Sequence, residues 1–190
     1  MARTPSNMLD LGTIAPEFSL LDPSTQKHVK LSDFKDKPVI IAFICNHCPY
    51  VILIKEKFAQ LAKKFQENGV HVIAINSNDV ENHPDDSPEK MIEDSLANNY
   101  SFPYLYDETQ ETALNYKAAC TPDLFLFNAE HKLYYRGQFD DARPNSDTLV
   151  TGDDLSNAVE KLLSEKPSPD NQKPSLGCNI KWKSGNEPKA

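Results

Sequence analysis

No apolar run in this chain reaches the roughly 18 to 20 residues that a membrane-spanning helix needs, and the N-terminal segment MARTPSNMLDLG lacks the apolar core of a secretory signal. Positive charge is also scarce: 20 lysines and arginines stand against 28 aspartates and glutamates, for a formal net charge of -8. Phosphate would repel such a chain, which argues against nucleic acid or an anionic membrane as its partner. We therefore predict a cytoplasmic protein that acts on a small molecule or on another protein.

Motifs for nucleotide and metal binding are equally sparse. Neither a G-x-G-x-x-G loop nor a G-x4-G-K-[ST] loop is present, so we expect no nucleotide cofactor. Four cysteines in 190 residues are too few for a disulfide scaffold. The one C-x-x-C pair has no second pair and no H-x3-H pair to complete a four-ligand site, which disfavours structural zinc. The function of the cysteines must then follow from their positions.

Buried strands and a helix are nonetheless well marked in the first half. The apolar, β-branched run PVIIAFI at 38–44 predicts a strand that is buried on both faces of a sheet. Apolar residues then recur at spacings of three and four through 51–65, which predicts one face of a helix ending near Asn68. A second buried strand, VHVIAIN, follows at 70–76. Strand, helix and strand in this order predict a parallel βαβ unit.

The second half predicts further helices, a hairpin and a tail. A helix that begins at Asp86 or Ser87 and a short helix around 108–117 precede two apolar strands, DLFLFN and KLYYRGQF, which AEH joins as a hairpin. The closing helix, GDDLSNAVEKLLSEK, is expected to turn its apolar residues inward, Leu163 among them. We therefore predict one domain, residues 1–165, and a Pro-rich tail, residues 166–190, whose apolar stretch LGCNIKW packs in part on the domain.

Two cysteines and a histidine, in CNHC at 45–48, lie where the first buried strand gives way to the helix. Cys45 and Cys48 have the spacing that can close a small disulfide ring, and a helix N-terminus lowers the pKa of a nearby thiol through its free N–H groups and partial positive charge. The thiolate is the nucleophile in disulfide exchange. His47 is either a solvated loop residue or a titratable neighbour that tunes the thiolates.

Three stretches carry a resemblance to a known family: GTIAPEFSLLD with VKLSDFKDKPVIIAF, then CNHCPYV, then YKAACTPDLFLF. Together they resemble the redoxin branch of the thioredoxin-like superfamily, which includes the alkyl hydroperoxide reductase and thiol-specific antioxidant proteins. RGQFDDARP and PSLGCNIKWK further resemble a subgroup described as thioredoxin-family or redoxin-domain proteins. The resemblance implies an α/β, thioredoxin-like fold: a central mixed sheet flanked by helices, with an N-terminal β extension and a C-terminal tail.

The same resemblance assigns residues before the third strand. Thr121-Pro122 matches the position of a cis-proline that faces the active thiol in this superfamily. The bond is therefore expected to be cis and the Thr121 backbone to face the sulfur, so that a bound thiol or peptide lies beside it. Neighbouring Cys120 is either a small buried residue, the reading that we favour, or a third redox partner.

The peroxiredoxin pattern P-x-x-x-[ST]-x-x-C is incomplete in both frames that the cysteines allow. Counted back from Cys48, Cys45 takes the place of the hydroxyl and Ile41 that of the proline. Counted back from Cys45, Pro38 fits but Ala42 replaces the hydroxyl. A second thiol three residues away suits disulfide exchange better than peroxide reduction.

Two later arginines could supply the guanidinium that polarises peroxide in peroxiredoxins. Arg136 and Arg143 both lie after the third strand. The alternative is that each is solvated or paired with the nearby Asp140 and Asp141.

The helix start bears on which cysteine attacks. In the plain thioredoxin register Cys45 caps the helix, Cys48 lies one turn inside it, and Cys45 is the attacking residue. Pro49 fits the first helical position, where its fixed φ is suitable and its missing N–H costs nothing, and this makes Cys48 the N-cap. The gap from Phe43 to Cys48 also matches the thioredoxin-like pattern, and Cys48 precedes a proline, as the peroxidatic cysteine does in many relatives. We predict that Cys48 has the lower pKa and forms the mixed disulfide, which Cys45 releases.

Cys178 lies in the apolar stretch of the tail. It could resolve a mixed disulfide or a sulfenic acid. We favour the simpler reading, in which Cys178 is a small apolar residue in a segment that Trp182 anchors to the domain.

The sequence therefore predicts a thiol-disulfide oxidoreductase that exchanges electrons through a C-x-x-C dithiol. Its substrate would be a protein or small-molecule thiol, disulfide or peroxide, and its reductant an external thiol, because no cofactor is expected to carry the electrons. A thiol-dependent, peroxiredoxin-like peroxidase is the enzymatic alternative. A non-enzymatic redox sensor or metal-binding module is the alternative from another class.

Overall fold

The computed structural model describes residues 3–188; the first two and last two residues, which the predicted bounds 1–165 and 166–190 include, lie outside the described residues. The described part forms four α-helices: α1 (Pro49–Glu67), α2 (Pro88–Ala97), α3 (Glu111–Asn115) and α4 (Asp153–Leu163). It also forms ten strands: β1 (Arg3–Pro5), β2 (Ser19–Asp22), β3 (Lys27–Lys30), β4 (Val39–Phe43), β5 (His71–Asn76), β6 (Tyr104–Tyr106), β7 (Cys120–Thr121), β8 (Asp123–Phe127), β9 (Leu133–Gly137) and β10 (Leu176–Asn179).

Seven strands make a central mixed sheet in the order β3-β2-β6-β5-β4-β8-β9. β4 is parallel to β5 and β5 to β6, whereas β8 is antiparallel to β4 and β9 to β8. The βαβ unit of β4, α1 and β5 and the β8–β9 hairpin are as predicted. β6 is an addition: its three residues are too few to show a period in the sequence.

The central strand β4 is buried on both faces, as its unbroken apolar run predicts. Val39, Ile41 and Phe43 enter one apolar cluster, and Ile40 and Ala42 enter the other. Successive side chains of a strand point to opposite faces, so β4 divides the core into two halves. α1 and α4 cover the half that contains Ile40 and Ala42.

Helix α1 begins where Pro49 allows it to begin. Cys48 is the N-cap, with extended backbone angles, and Pro49 takes the first turn, as predicted. The helix ends at Glu67, and Gly69 follows at a φ of +85°, a left-handed conformation that closes a helix at little cost for glycine.

One prediction for α4 is wrong. Leu155 and Val159 are buried, but Leu163 is 43% exposed. At 3.6 residues per turn, Leu163 lies roughly 80° around the helix from Leu155, which turns it away from the sheet.

A second, three-stranded sheet has the order β1-β10-β7 and is antiparallel throughout. It joins the two ends of the described chain: Arg3 lies opposite Cys178, and Cys178 lies opposite Thr121. The apolar stretch of the tail is thus the middle strand of a sheet. Among the helices of residues 3–188, none has both the length and the apolar character that crossing a membrane requires.

Candidate active site

Cys48 lies at the N-terminus of α1 with no exposed surface. Its Sγ lies 3.1 Å from the carbonyl oxygen of Thr121, to which the thiol form donates. Its pKa is lowered to about 4, first by a hydrogen bond from the Cys45 thiol, with smaller contributions from Cys178, Thr121 and the backbone N–H of Val51, while burial opposes the shift. A thiolate is therefore favoured at Cys48 at neutral pH.

Cys45 has the opposite character. It is 1% exposed, and its Sγ lies 3.4 Å from Oγ1 of Thr121, in a hydrogen bond that either group can donate. Its hydrogen bond to Cys48, its burial and the charge of Asp86 raise its pKa well above that of an ordinary thiol. The two cysteines thus divide into a sulfur that reacts as a thiolate and a sulfur that keeps its proton.

Thr121 contacts both cysteines, through its carbonyl oxygen to Cys48 and through its hydroxyl to Cys45. The Thr121–Pro122 peptide bond is cis, which confirms the prediction. The Thr121 backbone faces the Cys48 sulfur, so the dithiol and the residues before β8 form one site.

Asp86 organises the loop that contains His47. Its fully buried carboxylate accepts the backbone N–H groups of Asn46 (2.8 Å) and His47 (3.2 Å) at Oδ1. At Oδ2 it accepts Nδ1–H of His47 (2.6 Å) and the side-chain amide of Asn78 (2.7 Å). A carboxylate only accepts, so the His47 ring donates from Nδ1. The ring of His47 stacks on that of His83 at 5.5 Å, so His47 is a fixed, partly buried residue beside the dithiol.

Cys45, His47 and Asp86 also offer ligand atoms within 4.8 Å of one another, which is a grouping that could hold a metal ion. All four hydrogen bonds to the Asp86 carboxylate come from N–H groups of the protein itself. A cation would have to displace these donors, because Asp86 has its oxygens already shared between them. The grouping therefore fits hydrogen bonding better than metal ligation.

Cys178 and Cys120 lie on the neighbouring strands β10 and β7. Cys178 is 4% exposed, and burial, followed by its hydrogen bond to Cys48, raises its pKa to about 12. Cys120 is fully buried, its Sγ donates to the Pro122 carbonyl at 3.5 Å, and burial raises its pKa. Cys178 lies opposite Thr121, which contacts both cysteines of the predicted dithiol, whereas Cys120 lies one residue along, opposite Asn179.

The two arginines are held by other groups. Nη1 of Arg136 donates to the side-chain oxygen of Gln172 at 2.6 Å. The guanidinium of Arg143 donates to the side chain of Gln138 and to the backbone carbonyls of Asp140 and Ala142. Arg143 lies in a small cleft that Pro122 also lines. The hydrogen bonds of both guanidinium groups thus go to neutral oxygens of the β9 region and the tail.

Asp86 is the site residue that the sequence did not single out, together with Tyr104, whose hydroxyl donates to the Asn46 side chain at 3.0 Å. One signal was available for Asp86. It lies in the loop that follows the second strand of the βαβ unit, and such loops form sites at the carboxyl ends of parallel strands. That signal does not separate Asp86 from the exposed Asp85 beside it.

Comparisons with known proteins identify the family and the fold. A model of the AhpC/TSA family matches residues 11–136. Thiol-disulfide oxidoreductase ResA of Bacillus subtilis (strain 168) is 28% identical over 127 residues, which are 64% of this chain and 64% of ResA, so the match spans less than two thirds of that relative.

Solved structures extend the likeness to nearly the whole chain. An uncharacterized conserved protein from Geobacillus kaustophilus is 48% identical and superposes with a TM-score of 0.94 over 96% of this chain and 97% of its own. A hypothetical protein from Sinorhizobium meliloti 1021 is 46% identical, with a TM-score of 0.94 over 96% of this chain and 100% of its own. The thioredoxin domain of a thiol-disulfide oxidoreductase from Bacteroides vulgatus, 20% identical, has a TM-score of 0.64 over 82% of this chain and 99% of its own, and shows the fold. The fold is thioredoxin-like, and the chain belongs to the AhpC/TSA family.

Proposed function

We propose that this protein is a thiol-disulfide oxidoreductase that exchanges electrons through Cys45 and Cys48. The observation that carries the proposal is the placement of Cys48 at the N-terminus of α1 and of Cys45 beside it, both in hydrogen bonds with Thr121, with the pKa lowered at Cys48 and raised at Cys45. Disulfide exchange needs one sulfur that attacks as a thiolate and a second that attacks the resulting mixed disulfide.

The proposed cycle begins with the Cys48 thiolate, which attacks one sulfur of a disulfide substrate. An S–S bond forms between Cys48 and the substrate, and the other substrate sulfur leaves as a thiolate. Cys45 then attacks Cys48, and the second substrate sulfur leaves. The substrate has been reduced to two thiols, and the protein has been oxidised to the Cys45–Cys48 disulfide. An external thiol, in two further exchange steps, returns the dithiol to its reduced form.

The high pKa of Cys45 makes proton removal the demanding part of the second step. A ring nitrogen of His47 and an Asp86 oxygen lie within 4.8 Å of the Cys45 sulfur. In our proposal the hydrogen-bonded His47–Asp86 pair takes this proton, because both groups lie this close to the Cys45 sulfur.

The relatives support a disulfide substrate. The relative from Bacillus subtilis is a thiol-disulfide oxidoreductase, and we extend that activity to this chain as a proposal. The proposed substrate is a protein or small-molecule disulfide, the proposed donor is an external thiol, and the proposed compartment is the cytoplasm.

The test compares two reactions of the purified protein. We expect it to speed the reduction of insulin by dithiothreitol, and we expect Cys48→Ser and Cys45→Ser to lose this activity. Cys120→Ala is the matched control, because Cys120 is equally buried but, as the residue next to Thr121 in strand β7, projects to the opposite face of the sheet, and it should keep the activity. Hydrogen peroxide consumption with the same thiol that exceeded insulin reduction, and that survived Cys45→Ser, would replace the proposal with the peroxidase alternative.

A further inference from the structure

Strand β10 lies where a peptide bound to the Thr121 backbone would lie. It runs antiparallel to β7, and Cys178 is the residue opposite Thr121. Residues directly opposite each other in an antiparallel pair project to the same face of the sheet. The Thr121 side chain reaches Cys45 on that face, so the Cys178 side chain projects toward the same dithiol.

Gly177 allows β10 to come this close. A Cβ at residue 177 would lie 2.0 Å from the carbonyl oxygen of Thr121 and 2.6 Å from its carbonyl carbon. Any larger residue would push β10 away from β7, because real Cβ atoms do not approach backbone atoms to such distances. The glycine therefore brings the tail against the carbonyl that also contacts Cys48.

Cys178 lies in the same buried region as Cys48. Both are buried in the same apolar cluster, and each shifts the pKa of the other: Cys178 lowers that of Cys48, and Cys48 raises that of Cys178. Thr121 thus gathers three cysteines: its hydroxyl is hydrogen-bonded to Cys45, its carbonyl oxygen to Cys48, and Cys178 lies opposite it on β10. Simple packing of a small residue would not require a cysteine at the position opposite Thr121.

We propose that Cys178 is a second disulfide partner of Cys48, presented by β10 in the position of a substrate peptide. This inference rests on the proposed function, because Cys48 must be the sulfur that reacts. The oxidised protein can then contain either of two disulfides: Cys45–Cys48, within the CNHC segment, or Cys48–Cys178, between the start of α1 and the tail.

The exchange of the Cys45–Cys48 disulfide for the Cys48–Cys178 disulfide involves no net oxidation or reduction. Cys178 attacks the Cys48 sulfur of the Cys45–Cys48 disulfide, so the Cys48–Cys178 bond forms and the Cys45–Cys48 bond breaks. Cys45 leaves with the electron pair and takes up the proton that Cys178 loses. The oxidant is the disulfide substrate that first oxidised the dithiol, and no other co-reactant is needed. The same attack by Cys178 on a mixed disulfide at Cys48 releases the substrate thiol.

Cys120 provides the internal comparison. It lies opposite Asn179, one residue along from the Thr121–Cys178 pair, so its side chain projects to the opposite face of the sheet. Its thiol donates to the Pro122 carbonyl. We therefore expect no disulfide between Cys120 and Cys48, although both are buried cysteines of the same region.

The experiment uses the full chain with Cys45→Ala, reduced and then treated with oxidised glutathione. After acid quenching and digestion without reductant, mass spectrometry should find Cys48 linked to Cys178 in about tenfold excess over the glutathione adduct, because a positioned intramolecular thiol has a high effective concentration. Adding Cys178→Ala should leave the adduct at Cys48. Adding Cys120→Ala instead should leave the Cys48–Cys178 linkage unchanged.

Two results overturn the inference, and they separate it from the proposed function. If the Cys45→Ala protein keeps a stable glutathione adduct at Cys48 with a free Cys178, the inference fails while Cys48 remains the reactive sulfur. If Cys48 forms no adduct even without Cys45 and Cys178, the proposed function and the inference fail together. The wild-type protein answers the same question without a substitution: with less than one equivalent of oxidised glutathione it should yield Cys48–Cys178 peptides beside Cys45–Cys48 peptides, and their absence would also overturn the inference.

Discussion

Asp86→Asn should destabilise the protein strongly, although it changes one oxygen to an NH2 group. The Asp86 carboxylate accepts four N–H groups, two at each oxygen, and has no exposed surface. The asparagine amide keeps one acceptor oxygen and turns its own N–H groups toward two of these donors. Two donors are then left without an acceptor, either the backbone N–H groups of Asn46 and His47, which are partly buried, or the His47 ring and the buried Asn78 amide.

The magnitude follows from those two donors. A buried donor left unpaired costs about 1–3 kcal/mol, and a hydrogen bond to a charged group contributes about 1.5–3 kcal/mol. We therefore expect the free energy of unfolding to fall by about 2–5 kcal/mol, which is a large part of the roughly 5–15 kcal/mol of a typical domain. The pKa of Cys45 should fall as well, because the charge of Asp86 is one of its causes.

Urea unfolding of the reduced proteins measures the first effect. Asp85→Asn is the matched control: Asp85 is the exposed neighbour, and only its backbone carbonyl is bonded to the site, at 2.9 Å from the Asn46 amide. That substitution should change the free energy of unfolding by less than about 0.5 kcal/mol. Equal stabilities of Asp85→Asn and Asp86→Asn would refute the view that Asp86 holds this loop together.

Three further predictions concern thiol ionisation, the tail and a buried acid. Cys45→Ala should raise the pKa of Cys48, and Cys45→Ser should raise it less because a hydroxyl can still donate; the pH dependence of iodoacetamide alkylation measures both, and identical profiles in the two variants and the wild type would contradict the assignment. Gly177→Ala should separate β10 from β7, so Cys48 should be alkylated several times faster at about pH 7; an unchanged rate would mean that β10 does not cover this sulfur. Burial raises the pKa of Asp123 to about 7 from 3.8, so the folded state binds the proton more tightly than the unfolded state, and the wild type should lose stability as pH rises from about 4 to about 7. Asp123→Asn should lack this loss, and urea unfolding at about pH 5 and about pH 8 would contradict the prediction if both proteins showed the same change.

Local patterns in the sequence were enough to predict the centre of the fold. The run at 38–44 and the spacing of apolar residues through 51–65 are direct consequences of a strand buried on both faces and a helix buried on one. Pro49 fixed the helix start, because few positions accept a residue without an N–H. The cis bond before Pro122 came from the family resemblance, since a sequence by itself favours trans.

The pairing of strands that are far apart in the chain could not be predicted from the sequence. The sheet of β1, β10 and β7 joins Arg3 to Cys178, and such short strands carry no period that could reveal their partners. The place of Cys178 beside Cys48 depends on that pairing, so the sequence could offer only two readings of it. Asp86 was missed for a related reason: it differs from Asp85 in burial and partners and in no chemical respect.

Strand β10 is synthesised late, because it lies near the C-terminal end of the described chain. The ribosome makes Cys48, Thr121 and all seven strands of the central sheet before it makes Leu176–Asn179. Domains can begin to fold while the chain is still being made, and the nascent domain would then present its reactive sulfur without the strand that later lies beside it. A nascent chain stalled after α4 should therefore be trapped by a thiol reagent or by cellular disulfides far more readily than the released protein.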